Sequence, residues 1–207
     1  SLPMLAQLDK KLSKQPPSVK NRVHALERDM RKFDLGRKFS YIYVPFSTFN
    51  YLLTIEEQKD CLHSIKNHLS SDGVLVLDLL SFSYQPFGLV YRNDIKVVKR
   101  KKSPFSDEMI ELTTRAEFDS PTQIVKEWRY FTFYDKEGEE RRTEVVEWEN
   151  RFFFIGELEC ILESVGFEVI RKYGGYSLQK PLTHTSEFAV ITARLKSNPK
   201  RNAHLDT

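Results

Sequence analysis

The side chains able to do chemistry gather where apolar runs end. Asp29, with Met30 and Arg31, follows the run Val23–Leu26, and Pro45 closes the run Phe39–Phe46 ahead of polar Ser47 and Thr48. Tyr43, Asn50 and Tyr51 lie at or just past that second end, Tyr84 and Arg92 follow the third run, Val74–Leu80, and His184 precedes the last one. These carboxylate, phenol, amide, guanidinium and imidazole groups suit hydrogen bonding and proton transfer. Thiol and metal chemistry are not expected. Cys61 and Cys160 each fall inside a helical apolar pattern with no second cysteine nearby, so both are expected to be buried packing residues. His63 and His68 share no ligand spacing with a carboxylate and are expected on the surface. None of the eight glycines makes a G-x-G turn.

The elements that must position these groups follow from periodicity. The three apolar, β-branched runs lack polar alternation, as strands buried on both faces do. Between the last two, Thr54 and Glu57 form a capping box for a helix over Ile55–His68 that buries Ile55, Cys61, Leu62, Ile65 and Leu69. An earlier helix carries Met4, Leu5, Leu8 and Leu12 and ends by Gln15-Pro16-Pro17. This order predicts an open α/β sheet, whose ligands sit at the carboxyl ends of the strands.

From Ser81 to Asn150 the texture changes to alternation, rich in Trp128, Tyr130 and Trp148, with turn residues at Asp119-Ser120-Pro121-Thr122 and Asp135-Lys136-Glu137-Gly138. An antiparallel meander inserted in the sheet is predicted. Afterwards a helix through Leu158 and Val165 ends at Gly166, and Phe167–Tyr173 with Glu187–Leu195 predicts a terminal hairpin. The expected division is a first core part at 1–83, the meander at 84–150, a second core part at 151–195 and a polar tail at 196–207.

The 32 basic and 29 acidic residues are interleaved by sign and leave a net charge of +3, so a solvated surface is expected and a nucleic-acid partner is not. No apolar run reaches the length of a membrane span, and the amino terminus shows no basic-then-apolar signal, so a cytoplasmic protein without a membrane partner is expected.

Several stretches together resemble the class I S-adenosylmethionine-dependent methyltransferases, on their small-molecule N- or O-methyltransferase side. They are Asp29-Met30-Arg31, the run Phe33-Asp34-Leu35-Gly36-Arg37-Lys38-Phe39, then Val44-Pro45-Phe46-Ser47 and Leu69-Ser70-Ser71-Asp72-Gly73-Val74. Ser1-Leu2-Pro3-Met4-Leu5 is similar to the segment after that family's second strand, and Glu157 to Gly166-Phe167, then Tyr173-Gly174, to its last helix and hairpin. The resemblance implies a Rossmann-like sheet with an antiparallel terminal hairpin and S-adenosylmethionine as cofactor. It implies that Asp29 accepts from the adenine amine, that the Met30 N–H meets a ring nitrogen beside Arg31, and that Met4 and Met30 pack on the ring. Val44, Pro45 and Phe46 would line the cofactor, and Asn50, Tyr51, Tyr84, Trp128 and Tyr130 a small-molecule acceptor.

Alignment supplies most of the acceleration in methyl transfer, so any base is modest; Tyr51, Arg92 and His184 are the candidates. The family's glycine-rich turn and the acidic residue after its second strand would lie before Ser1. That departure leaves three expectations open: a methyltransferase whose meander caps the acceptor or makes a homodimer contact, a truncated non-catalytic module of the same fold that binds or assembles through an open sheet edge, and an RNA methyltransferase. The last is suggested by a pI of about 8.7 and by Lys99-Arg100-Lys101-Lys102.

Overall fold

The computed structural model describes residues 1–80, 96–104, 106–177, 179–186 and 188–197. Tyr84, Arg92 and nearly all of the expected tail fall outside these. In chain order the elements are α1 (Leu2–Leu12), α2 (Pro17–Lys20), β1 (Phe39–Val44), a 3-10 turn (Thr48–Tyr51), α3 (Ile55–His68) and β2 (Leu69–Leu80). There follow β3 (Lys96–Lys102), β4 (Met109–Asp119), β5 (Ile124–Tyr134), β6 (Glu140–Arg151), α4 (Ile155–Val165), β7 (Phe167–Tyr173) and β8 (Phe188–Leu195). Among the described residues the strands form two four-stranded sheets, β1-β2-β8-β7 and β3-β4-β5-β6.

The core lies between the first sheet and the pair α3 and α4. On α3 the capping box is complete: the Glu57 N–H donates to Thr54 Oγ1 at 3.1 Å, and the Thr54 N–H donates to Glu57 Oε2 at 3.2 Å. Glu56 and Glu57 in its first turn and Lys66 in its last complement the helix dipole. Its apolar stripe of Cys61, Leu62 and Ile65 meets Leu75, Leu77 and Leu79 of β2 and Leu158, Ile161 and Leu162 of α4, all buried. Gly166 ends α4 at φ +102°, and its N–H bonds the Leu162 and Glu163 carbonyls. A β-carbon there would strain the turn and meet the Lys66 side chain, which itself donates to the Val165 carbonyl at 2.7 Å.

Strands β1 and β2 run parallel, and β8 pairs antiparallel with both β2 and β7. The carboxyl ends of the parallel pair therefore open together, at Val44 and Leu80. The second sheet is wholly antiparallel and contains β3, a strand that the sequence pattern did not mark. The Lys99–Lys102 run thus belongs to a sheet edge.

Several expectations are corrected. Val23–Leu26 forms no strand. Among the described residues it has no ladder partner, and with Val23 and Leu26 37% and 55% exposed it stays an extended connection. His68 is buried at 4% exposure, since its ring stacks near Phe33 and accepts the Leu35 N–H. Cys160 is exposed, standing on the outer face of α4, and Ile55 at the first turn of α3 is 45% exposed. No helix among the described residues is long and apolar enough to cross a membrane.

Candidate active site at the strand mouths

Beyond Val44 the chain makes a tight turn in which Phe46 and Ser47 both take left-handed backbone angles, φ +54° and +55°. Two such non-glycine residues in succession are strained and need outside support. Asp78 on β2 supplies it. Its Oδ2 accepts the Phe46 N–H at 2.8 Å and the Tyr176 hydroxyl at 2.6 Å. Asp78 is 1% exposed, and its Oδ1 is buried with no hydrogen-bond partner among the described residues. The carboxylate raises its phenol neighbours: Tyr176 is pushed up to about 12, first by the hydrogen bond it gives Asp78 and then by burial. Tyr43 is raised mainly by burial and next by the same charge.

Asn50 ties this corner to the meander. It is fully buried, and its amide donates to the Arg151 carbonyl at 2.8 Å and accepts the Leu80 N–H at 3.3 Å. Arg151, at the end of β6, pairs with Glu157 of α4 and donates to Gln123 Oε1 at 2.9 Å. These bonds hold the end of the second sheet over the mouths of β1 and β2.

Between the two sheets lies a pocket of about 390 Å³. Phe46, Tyr51, Tyr176 and Phe188 line it from the first sheet's side, and Glu127, Arg129 and Trp148 from the meander. Glu127 and Arg129 form an ion pair, and the Arg129 guanidinium lies 3.8 Å over the Trp148 ring.

Of the residues singled out from sequence, Phe46 and Tyr51 meet at this pocket, the Phe46 side chain 84% exposed. Trp128 and Tyr130 alternate with Glu127 and Arg129 along β5 and so occupy the opposite face, where the Trp128 indole donates to Glu147 at 2.7 Å. Asn50 spends its amide on backbone groups, and His184 stands on an exposed turn. Val44 and Met30 pack against the core, whereas Met4 is 75% exposed on a helix that buries nothing.

Asp29 and Arg31 border a separate groove of about 500 Å³ along α3. Arg31 binds both Asp29 oxygens, through its Nε at 3.1 Å and its NH2 at 2.7 Å, and reaches Glu57 at 2.6 Å. This side-chain hydrogen bond, aided by the Arg31 backbone N–H, holds Asp29 below its ordinary value and raises Arg31.

Asp78, Tyr176, Glu127 and Arg129 were not singled out from sequence. Only Asp78 carried a signal, as the lone charge inside the apolar run Val74–Leu80.

Known proteins share this fold. The CcbJ methyltransferase from Streptomyces caelestis superposes with a TM-score of 0.77 at 21% identity, over 94% of this chain and 72% of that one. An S-adenosylmethionine-dependent methyltransferase from Clostridium acetobutylicum gives 0.75 at 21% identity, over 95% and 73%. In sequence, dTDP-3-amino-3,4,6-trideoxy-alpha-D-glucopyranose N,N-dimethyltransferase of Streptomyces venezuelae is 46% identical over 50 residues, 24% of this chain and 21% of that enzyme. The match thus spans about a fifth of the curated relative's length. No protein-family model matches. With its mixed sheet, helix pair and terminal antiparallel hairpin, the chain has the α/β fold of the S-adenosylmethionine-dependent methyltransferases.

Proposed function

We propose that the protein transfers a methyl group from S-adenosylmethionine to an amino group of a small-molecule acceptor. The observation that carries this reading is the aromatic-walled pocket at the carboxyl ends of β1 and β2, roofed by the meander. In open α/β sheets ligands bind at this end of the strands. The amino acceptor is supported by the partial sequence relative, whose name specifies N,N-dimethylation of an amino sugar. A pocket of this size suits one sugar-sized group, and alignment of that group is the main catalytic task.

The cofactor, when bound, supplies an activated methyl. The chain's own residues fit it unequally. Phe46 stands exposed at the mouth beside Pro45, free to cover an apolar surface. Asp29 can accept from an adenine amine only by giving up part of its hold on Arg31, because each carboxylate oxygen already receives two N–H groups. Arg31 has Glu57 as its alternative partner.

Calorimetric titration of the full-length protein with S-adenosylhomocysteine tests the cofactor assignment. Binding is expected, weakened by Asp29→Ala and by Met30→Gly; no binding, or binding indifferent to both changes, would overturn it. Incubation with the cofactor and a 3-amino sugar nucleotide should then add methyl groups detectable by mass spectrometry.

A second reading, a non-catalytic assembly module of this fold, is favoured by the outer edge of β1. That edge has no strand neighbour among the described residues, and Tyr41 and Tyr43 are 58% and 41% exposed beside it. It predicts a stable complex, with a partner or a second copy, and no cofactor binding.

A further inference from the structure

Asp78 interrupts an apolar strand, and its burial demands compensation that, among the described residues, Phe46 and Tyr176 provide on one oxygen. Tyr176 is 63% exposed and borders the pocket. A phenol whose proton is committed to a carboxylate has only lone pairs to offer a third group, and the charge behind it strengthens them. Phe46 and Phe188 add aromatic surface beside Tyr176, while the Trp148 face is already taken by the Arg129 guanidinium.

Resting on the methyl-transfer reading, we propose that Tyr176 and Asp78 form an amine-selecting pair: Tyr176 Oη accepts an N–H from the acceptor's ammonium group, and Asp78 receives the proton that the phenol releases. The proton balance is closed. The ammonium N–H bond breaks as a new Tyr176 O–H bond forms, and the former Tyr176 O–H bond breaks as an Asp78 Oδ2–H bond forms. One proton moves from nitrogen to carboxylate, the acceptor is left as a neutral amine with its lone pair free, and nothing is oxidised or reduced. Among the described residues, the other ionisable groups around the pair are Tyr43 on β1, Tyr51 and, across the pocket, Glu127 and Arg129, which neutralise each other. Tyr176 touches the acceptor; Asp78 acts through it, and also holds the Phe46 turn.

The test compares two probes of equal shape, benzylamine and benzyl alcohol, by NMR titration of the full-length protein at neutral pH, with S-adenosylhomocysteine binding measured in parallel. The amine is expected to bind about tenfold tighter than the alcohol, the scale of one hydrogen bond to a charged group, and Tyr176→Phe and Asp78→Asn should each abolish the preference. Phenolate absorbance supplies an independent check of the contact: Tyr176 should ionise near 12 in the wild type and return toward 10.0 in Asp78→Asn. Equal binding of the two probes, or a preference that survives Tyr176→Phe, with the cofactor product still bound, would overturn the pair alone. Loss of cofactor-product binding by the wild type would overturn the methyl-transfer reading and the pair with it.

Discussion

The two sheets solve the problem of stability differently. In β1-β2-β8-β7 one face is sealed by α3 and α4, so Leu62, Leu75, Leu77 and Phe167 are buried to 0% exposure. Among the described residues of the meander only Ala116, Val125 and Asn150, with Arg151 at its very end, are buried, and most side chains of β4 and β5 on both faces are half-exposed. It holds instead by long, nearly unbroken ladders and by surface pairs such as Arg142 with Glu108 and Arg142 over Phe133. The rigid sheet carries the turn and the buried carboxylate, while the thin sheet supplies the roof. A roof with little burial of its own is easier to vary without cost to the platform.

Mutations can break or sharpen this contrast. Leu62→Ala should cost about 2–5 kcal/mol by leaving a cavity among fully packed neighbours. Leu112→Ala in the meander should cost only about 1 kcal/mol. Denaturant midpoints compare the two, and equal losses would show that the meander is as tightly packed as the core. Next, Arg151→Ala should cost about 3 kcal/mol, because Glu157 and Gln123 lose their shared partner at the joint between the sheets. Thermal unfolding followed at Trp128 and Trp148 should show the meander loosening first.

Smaller again, Thr54→Ala should cost about 1 kcal/mol through loss of the α3 cap, whereas Arg142→Ala, at an exposed pair, should leave the denaturant midpoint nearly unchanged. The smallest effect concerns pH. Tyr176 is raised from 10.0 to about 12 in the folded protein, so its contact with Asp78 stabilises fully below the unfolded value. That contribution is lost as pH rises from 10.0 toward about 12. Alkaline unfolding curves of the wild type and Asp78→Asn should therefore converge across this window. Parallel curves would show that the phenol is not coupled to the carboxylate.

Much of the platform was legible. The capping box, the Gly166 stop and the turns at Asp119–Thr122 and Asp135–Gly138 that separate the meander strands are local codes, each realised within a few residues. Burial of single residues was less so. His68, Cys160 and Ile55 sit on helices whose periodic stripe is right, but the neighbour that covers or leaves a given position is set by packing. The pocket was only partly legible. Phe46 and Tyr51 stand out beside a proline-ended strand, but Tyr176 lies 98 residues from Asp78, and no local pattern joins them.

The sequence by itself determined the three longer helices, most strands and the α/β class, because caps, turns and hydrophobic period act over short distances. Only the tertiary structure decided which face of β5 looks into the pocket and which amide becomes a clamp. It alone brought a phenol to complete the Asp78 carboxylate. Alternation says that Glu127 and Trp128 point opposite ways; only the docking of one sheet on the other says which of them faces the pocket.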